Sequence, residues 1–215
     1  MNGKIGVRAL SMCLAVLLVS VAMVPVVSAY SEAKAYEDAL NGLVVETVSE
    51  TENAKEYYVT TPLKDGTDQK IFVKEWKAEV DGRDVWKVNV FEVDAKGIVA
   101  SEPLLRDSYY WWESDGLHIH LGTWDMIGIT ALEGAPIAGL TAWLATVVGG
   151  LAAGAFASVL VAAIAINYWY YGNTDGSMDV YLSNTTVALI PVYVAMPGPQ
   201  PIVVRLGSHD VVLSL

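Results

Sequence analysis

Cysteine and basic residues are both scarce in this chain. The single cysteine, Cys13, lies in an apolar stretch near the N-terminus, so a chain exported without that stretch carries no disulfide and no thiolate metal ligand. Lys and Arg number 13 against 24 Asp and Glu, which gives a formal net charge of −11. This balance excludes a nucleic-acid-binding protein that works by neutralising phosphates, and the 53% hydrophobic content excludes a disordered tail.

The sequence also lacks the motifs of several common enzyme classes. It contains no Gly-x-Ser-x-Gly, no His-Glu-x-x-His and no phosphate-binding glycine loop. Nothing in the sequence distinguishes any pair of its many carboxylates from solvated surface charge. We therefore expect no enzymatic activity, no catalytic residue and no cofactor.

The N-terminus has the features of a signal peptide over residues 1–29. Lys4 and Arg8 precede an apolar run from residue 9 to residue 27, and Val27-Ser28-Ala29 places small or β-branched residues where signal peptidase requires them. We expect cleavage after Ala29 and an extracytoplasmic location, either secreted or in the cell envelope. The alternative is an uncleaved membrane anchor, because the apolar run is long.

Residues 30–125 hold 20 of the acidic and 10 of the basic residues, and their pattern is typical of a β-sheet. Two alternating runs flank Asp81-Gly82, and this dipeptide favours the type I′ turn of a β-hairpin. We predict an acidic, mainly β domain over 30–125, built as an antiparallel meander of about four strands. Trp76 and Trp86 are expected on its core face, and the alternative is that they stack on a sugar or peptide ligand. A short helix is expected over 31–41.

His118 and His120 form the pattern closest to a metal site. In a strand, side chains two residues apart lie on the same face, about 6.5–7 Å apart, which is a usable spacing for metal ligands. The other residues that could contribute ligands are Glu113, Asp115, Asp125 and His209. Because the spacing fixes no third ligand, we expect no tightly bound metal, and His118 and His120 are the candidates if a metal does bind.

The most informative segment is free of charge for 41 residues, from Gly134 to Thr174. Small residues recur there at every fourth position: Gly134, Ala138, Ala142, Thr146, Gly150, Gly154, Ser158 and Ala162. Small residues at this spacing allow helices to pack closely in a lipid bilayer, and they could also join copies of the chain. We predict an apolar hairpin within 126–171, with helices over 135–147 and 151–171 that meet at Gly149-Gly150. The second helix is long enough to be transmembrane.

Aromatic residues bracket this segment, as they do at the two interfaces between a bilayer and water. They are Trp111, Trp112, Trp124, Tyr168, Trp169, Tyr170 and Tyr171. The same rings also suit a buried protein core. No basic residue lies between Arg106 and Arg205, which argues against a single-pass anchor with a basic cytoplasmic flank.

The remaining residues, 172–215, are predicted to form C-terminal strands. Residues 187–196 and 202–215 are apolar runs on either side of Pro197-Gly198-Pro199. Asn184-Thr185-Thr186 is an acceptor sequence for N-glycosylation in a host that has this machinery. Together the segments predict an α+β fold with a signal peptide, an antiparallel meander, an apolar helical hairpin and C-terminal strands.

The signal peptide, the cysteine-free mature chain and the zipper over 134–171 resemble those of secreted membrane-active proteins of the bacteriocin kind. The resemblance implies an antimicrobial protein that inserts into or permeabilises a lipid bilayer, and it assigns no role to any individual residue. Two alternatives stand beside it. One is a resident envelope protein that is anchored by the hairpin and displays an extracytoplasmic acidic domain. The other is a soluble secreted binding protein whose hairpin is a buried core.

Overall fold

The structure is a computed structural model that describes residues 44–62, 68–130, 134–148 and 154–215. Three predicted features lie outside the described residues: the signal peptide with its cleavage site at Ala29, the helix over 31–41 and the bend at Gly149-Gly150. The described residues form strands and helices of a mixed α+β fold, as predicted.

The strands in the described part of the chain form one sheet, in which each strand pairs with the next along the chain. They are β1 (Val44–Glu50), β2 (Ala54–Pro62), β3 (Asp68–Val80), β4 (Arg83–Val93), β5 (Tyr109–Trp112), β6 (Gly116–Leu121), β7 (Met178–Ser183), β8 (Pro201–Leu206) and β9 (His209–Ser214). Every pair is antiparallel, so the predicted meander is confirmed and continues to the C-terminus. One sheet thus contains strands that the sequence analysis placed in two domains, 30–125 and 172–215.

Two connections in the meander contain the described helices. They are α1 (Thr123–Thr130), α2 (Gly134–Val148) and α3 (Gly154–Tyr171) between β6 and β7, and α4 (Asn184–Ala195) between β7 and β8. The predicted helices over 135–147 and 151–171 correspond to α2 and α3. Helix α1 begins three residues before the predicted hairpin segment and was not expected as a separate helix.

The prediction that residues 187–196 form a strand is wrong, because residues 187–195 belong to α4 and Met196 is its C-cap. A short apolar run carries no periodicity that distinguishes a buried strand from a helix. The deciding signal lies just before the run, where the Ser183 hydroxyl accepts a hydrogen bond from the Thr186 backbone N–H at 3.1 Å and caps the helix. The remaining C-terminal elements are strands, as predicted.

The predicted β3–β4 hairpin has the expected turn, since Asp81 and Gly82 have φ angles of 51° and 74°. Trp86 lies at the edge of the core, as predicted. The expected position of Trp76 is wrong, because β3 turns the alternate residues, among them Val73 and Glu75, towards the core. A carboxylate at a core position concealed this alternation, and a shift of one residue exchanges the two faces of a strand.

The helices cover one face of the sheet and bury its apolar side chains. Trp143 of α2 and Phe156 of α3 have no exposed surface, and they share one core with Val73, Val88 and Ile119 of the sheet. Apolar burial of this kind stabilises a fold by about 25 cal/mol per Å². By length and composition, α3 is the one helix among those described that could cross a membrane, and 44% of its 18 residues are buried within the fold.

Candidate ligand-binding groove

The face of the sheet opposite the helices carries a groove over β5, β6 and β7. Along β5, Tyr110 points into the helical core, so Tyr109 and Trp111 point to the other face. The groove has a volume of about 570 Å³, within the range of small-molecule sites. Residues from distant parts of the chain complete its lining: Arg83, His118, His120, Asp179, Tyr181 and Arg205.

The strand register aligns the rings of this groove in two rows. In the first row, Trp111 pairs with His118 and His118 pairs with Tyr181. The centroids of the stacked Trp111 and His118 rings lie 4.9 Å apart, and those of His118 and Tyr181 lie 4.8 Å apart. In the second row, the rings of Tyr109 and His120 stack at 4.6 Å. Such cross-strand pairs stabilise the sheet and line the groove with aromatic rings.

Two arginines flank the first row. The Arg83 guanidinium lies over the Trp111 ring, 4.7 Å from its centroid, and the Arg205 guanidinium lies 5.4 Å from the centroid of Tyr181. Both contacts are cation–π interactions, which hold the long arginine side chains along the groove. The row therefore ends at both sides in hydrogen-bond donors.

The cationic and imidazole groups of the groove are paired with carboxylates. The pairs are Arg83–Glu113, Arg205–Asp210, His118–Asp115 and His120–Asp179. The hydrogen bond from His120, at 2.8 Å, lowers the pKa of Asp179, and the one from His118, at 3.1 Å, lowers the pKa of Asp115. Partial burial raises the pKa of Tyr109. At neutral pH, Asp115 and Asp179 are thus ionised acceptors, and Tyr109 keeps its hydroxyl proton.

The structure brings together only some of the residues considered as metal ligands. His118 and His120 lie on the same face of β6, as their spacing predicts, and Glu113 and Asp115 lie beside His118. His209 instead stacks on Tyr171, with centroids 4.4 Å apart.

Asp125 is buried at the start of α1, where it holds the segment before β5. Its carboxylate accepts hydrogen bonds from the backbone N–H groups of Arg106, at 2.9 Å, and Asp107, at 3.1 Å, and from the Ser108 hydroxyl at 2.5 Å. Burial raises the pKa of Asp125. These contacts give Asp125 a structural role in place of the ligand role considered for it.

Glu75 is a buried carboxylate that the sequence analysis missed. It is 4% exposed and lies between β3 and the helical layer. Its Oε1 accepts hydrogen bonds from the Tyr57 hydroxyl at 2.9 Å and from Trp143 Nε1 at 3.0 Å, and its Oε2 accepts one from the Tyr110 hydroxyl at 3.1 Å. Burial and the neighbouring Glu75 raise the pKa of both tyrosines. The network ties α2 to three strands.

The zipper residues that the structure describes lie within this helical layer. Ala142, Gly154 and Ser158 are buried, and Ala138, Thr146 and Ala162 are half-buried. Gly134 begins α2, and Gly150 lies outside the described residues. Two zipper hydroxyls have partners inside the fold, since Thr146 Oγ1 lies 3.0 Å from the Tyr57 hydroxyl and Ser158 Oγ donates to the Gly154 carbonyl at 3.1 Å.

The aromatic residues predicted at membrane interfaces occupy three environments. Trp111 lines the groove, and Tyr168 and Tyr171 are half-buried. Four are exposed: Trp112 by 48%, Trp124 by 60%, Trp169 by 78% and Tyr170 by 80%. The predicted glycosylation residue Asn184 is exposed at the start of α4, where its Nδ2 donates to the Ser114 carbonyl at 2.7 Å.

Comparison with known proteins identifies no relative. No protein-family model matches the chain, and no curated protein and no solved structure matches it. The groove itself is therefore the basis for assigning a function.

Several groove residues were missed by the sequence analysis: Arg83, Tyr109, Asp179, Tyr181 and Arg205. Tyr181 and Arg205 come from β7 and β8, which follow the helices, and only strand pairing brings them beside His118. The run of aromatic residues from Tyr109 to Trp111 was the one available signal for the groove. In a strand, Tyr109 and Trp111 lie on the same face because they are two residues apart.

Proposed function

We propose that the chain is an exported binding protein that holds a carbohydrate in the groove over β5, β6 and β7. The aligned row of Trp111, His118 and Tyr181 is the observation that carries this proposal. A sugar ring presents C–H groups on its faces and hydroxyls around its edge. It therefore matches an aromatic surface that is flanked by fixed hydrogen-bonding groups.

The pairing of charges in the groove favours a neutral ligand. Arg83 and Arg205 already contact carboxylates, so a phosphate or carboxylate ligand would have to displace those partners. The ionised Asp115 and Asp179 would also repel an anion. Both carboxylates suit sugar hydroxyls, because hydrogen bonds to a charged acceptor are about twice as strong as neutral ones.

In this proposal, α2 and α3 are the second layer of the binding domain. Bacteriocin-like insertion would have to remove Trp143 and Phe156 from the core, and it would take one hydrogen-bond donor from the buried Glu75. A contact between chains through buried zipper residues such as Gly154 and Ser158 would likewise require the helices to leave the core. The burial of α2 and α3 thus supports a soluble secreted binding protein over membrane insertion. Membrane insertion stays an untested prediction.

The test is binding of the mature protein to a panel of immobilised neutral and acidic glycans. We expect at least one immobilised neutral glycan to retain the wild-type protein. The Trp111→Ala variant should bind that glycan at least tenfold more weakly. Trp169→Ala is the matched control, because it removes a highly exposed indole from α3 and leaves the groove intact. Equal binding by Trp111→Ala and wild type would contradict the proposal, as would retention of acidic glycans alone.

A second candidate function is contact of the folded protein with a lipid surface. Exposed apolar residues favour it, namely Trp124, Ile127, Trp169 and Tyr170. They belong to the same end of the fold, because Thr123 Oγ1 donates to the Asp175 carbonyl and the Tyr168 hydroxyl donates to the adjacent Gly176 carbonyl. Tryptophan and tyrosine side chains are favoured at bilayer interfaces, and this contact leaves the hairpin in place.

Cosedimentation with phosphatidylcholine vesicles tests this second function. The neutral lipid is chosen because a chain with net charge −11 is repelled by anionic headgroups. We expect the double variant Trp169→Ser, Tyr170→Ser to lose cosedimentation while glycan binding is unchanged. Failure of the wild-type protein to sediment with the vesicles would exclude this function and leave the groove proposal untouched.

A further inference from the structure

Three potential metal ligands of two chemical kinds converge at one end of the groove. They are Nε2 of His118, a carboxylate oxygen of Asp115 and a carboxylate oxygen of Glu113, all within 4.8 Å of one another. His118 Nε2 lies 3.1 Å from Asp115 Oδ1 and 3.9 Å from Glu113 Oε2. The β-turn between β5 and β6 supplies both carboxylates, and β6 supplies the imidazole.

These separations match the needs of a small divalent metal ion. Zinc binds histidine nitrogen and carboxylate oxygen at about 2.0–2.2 Å in a tetrahedron, which places neighbouring ligand atoms about 3.3 Å apart. The two separations from His118 Nε2, 3.1 and 3.9 Å, lie on either side of this value. Two of the three ligand pairs are therefore already close to the spacing that zinc requires.

Residues around the three ligands hold them in place. Oε1 of Glu113 accepts a hydrogen bond from Trp111 Nε1 at 2.9 Å and lies 3.2 Å from Arg83 Nε, so Oε2 is the atom turned towards His118. The His118 ring stacks on that of Trp111 and packs at a tilt against that of Tyr181. Outer contacts of this kind orient metal ligands and raise affinity.

We propose that Glu113, Asp115 and His118 form a binding site for a divalent transition metal ion such as zinc. With three protein ligands, the fourth position of a tetrahedral ion opens towards the groove, because Asp115 and His118 also line it. His120 is not one of these converging ligands, and its Nδ1 lies 2.8 Å from Asp179 Oδ1. Metal binding here does not require the proposed sugar ligand, although Asp115 and His118 belong to both sites. The proposal replaces the sequence-based expectation that no metal binds tightly.

Calorimetric titration of the metal-free mature protein with zinc chloride tests the site in the absence of any sugar. We expect one zinc ion per chain, and at least a tenfold loss of affinity in His118→Ala. Glu113→Gln is a second variant, in which a 44% exposed side chain is changed without a change of size, and it should also weaken binding. Cobalt(II) should give the intense visible absorption of a tetrahedral ion in the wild type and not in His118→Ala.

The matched control is His209→Ala, which removes a histidine that stacks on Tyr171 outside the proposed site. It should bind zinc with wild-type affinity. The proposal would be overturned by the absence of stoichiometric binding, by wild-type affinity in both His118→Ala and Glu113→Gln, or by a loss of binding in His209→Ala. Because the titration contains no sugar, it can fail while glycan binding succeeds, and the reverse also holds.

Discussion

Trp143 Nε1 donates a hydrogen bond to Glu75 Oε1 at 3.0 Å across the interior of the fold, although 68 positions separate the two residues in the sequence. This contact joins α2 to β3 at a point where both side chains are buried. It accounts for a carboxylate in an apolar core, and it fixes the face that α2 turns to the sheet.

Replacing Trp143 by Phe tests this contact. The variant keeps an aromatic ring but removes one of the three donors to a buried carboxylate, so we expect the free energy of unfolding to fall by about 1–3 kcal/mol. Urea denaturation measures the change. Lys96→Ala, at an exposed turn, is the control and should leave the stability unchanged. An unaltered denaturation midpoint in Trp143→Phe would show that the contact contributes little.

The same network predicts a loss of stability at alkaline pH. The folded state raises the pKa of Tyr57 and Tyr110 above the ordinary value near 10, because burial and the adjacent Glu75 disfavour a phenolate. The unfolded chain therefore releases protons more readily than the folded chain, so the stability present below pH 10 falls as the pH rises above it. Melting temperatures measured between pH 8 and pH 11 should show this decline.

The matched variant for the alkaline experiment is Tyr110→Phe. It should be less stable than the wild type at neutral pH, because it removes a hydrogen bond to Glu75. Its melting temperature should also decline less steeply above pH 10, because one of the two buried phenols beside Glu75 is gone. Parallel curves for the two proteins would contradict the assigned role of Tyr110.

Gly139 marks a close approach of α2 to the sheet side of the core. A Cβ atom there would lie 3.3 Å from Val90 Cγ1 and 3.3 Å from Leu104 Cδ1. We expect Gly139→Ile to overpack this contact and destabilise the fold by about 1–3 kcal/mol. The control is Ala188→Ile on an exposed position of α4, which should change stability far less. Suppose that the wild-type protein released dye from vesicles and that Gly139→Ile abolished this release without a change in melting temperature. This result would support the membrane-insertion hypothesis.

Asp125 predicts a local effect that limited proteolysis can detect. In Asp125→Ala, the backbone N–H groups of Arg106 and Asp107 and the Ser108 hydroxyl lose their acceptor. We expect trypsin to cleave after Arg106 faster than in the wild type, because the segment before β5 is released. Exposed sites elsewhere, such as Lys96, provide an internal standard for cleavage. No selective increase at Arg106 would argue that other contacts hold the segment.

Local patterns predicted the elements whose structure depends on neighbouring residues. The Asp81-Gly82 turn, the common face of His118 and His120, and the helices over 135–147 and 151–171 all follow from short-range geometry. The position of Trp76 could not be predicted, because Glu75 occupies a core position and hides the alternation of β3. Residues 187–196 were mistaken for a strand because the cap at Ser183 lies outside the apolar run.

The groove depends on long-range pairing, which no local pattern contains. Tyr181 reaches His118 only because β7 returns to β6 after three helices, and Arg205 follows because β8 pairs with β7. The uncharged zipper segment predicted helices correctly but did not reveal their surroundings. Small residues that permit close packing in lipid permit it equally well against a sheet.

The most direct test of the carbohydrate-binding groove is an NMR titration that follows the indole N–H signals of the seven tryptophans. The ligand is the neutral glycan that binds the wild-type protein on the panel of immobilised glycans. The groove proposal predicts a saturable shift of the Trp111 signal, with the buried Trp143 and the exposed Trp169 unchanged. A shift confined to Trp124 and Trp169, or no shift at Trp111 at saturating glycan, would contradict the assignment of the groove as the binding site.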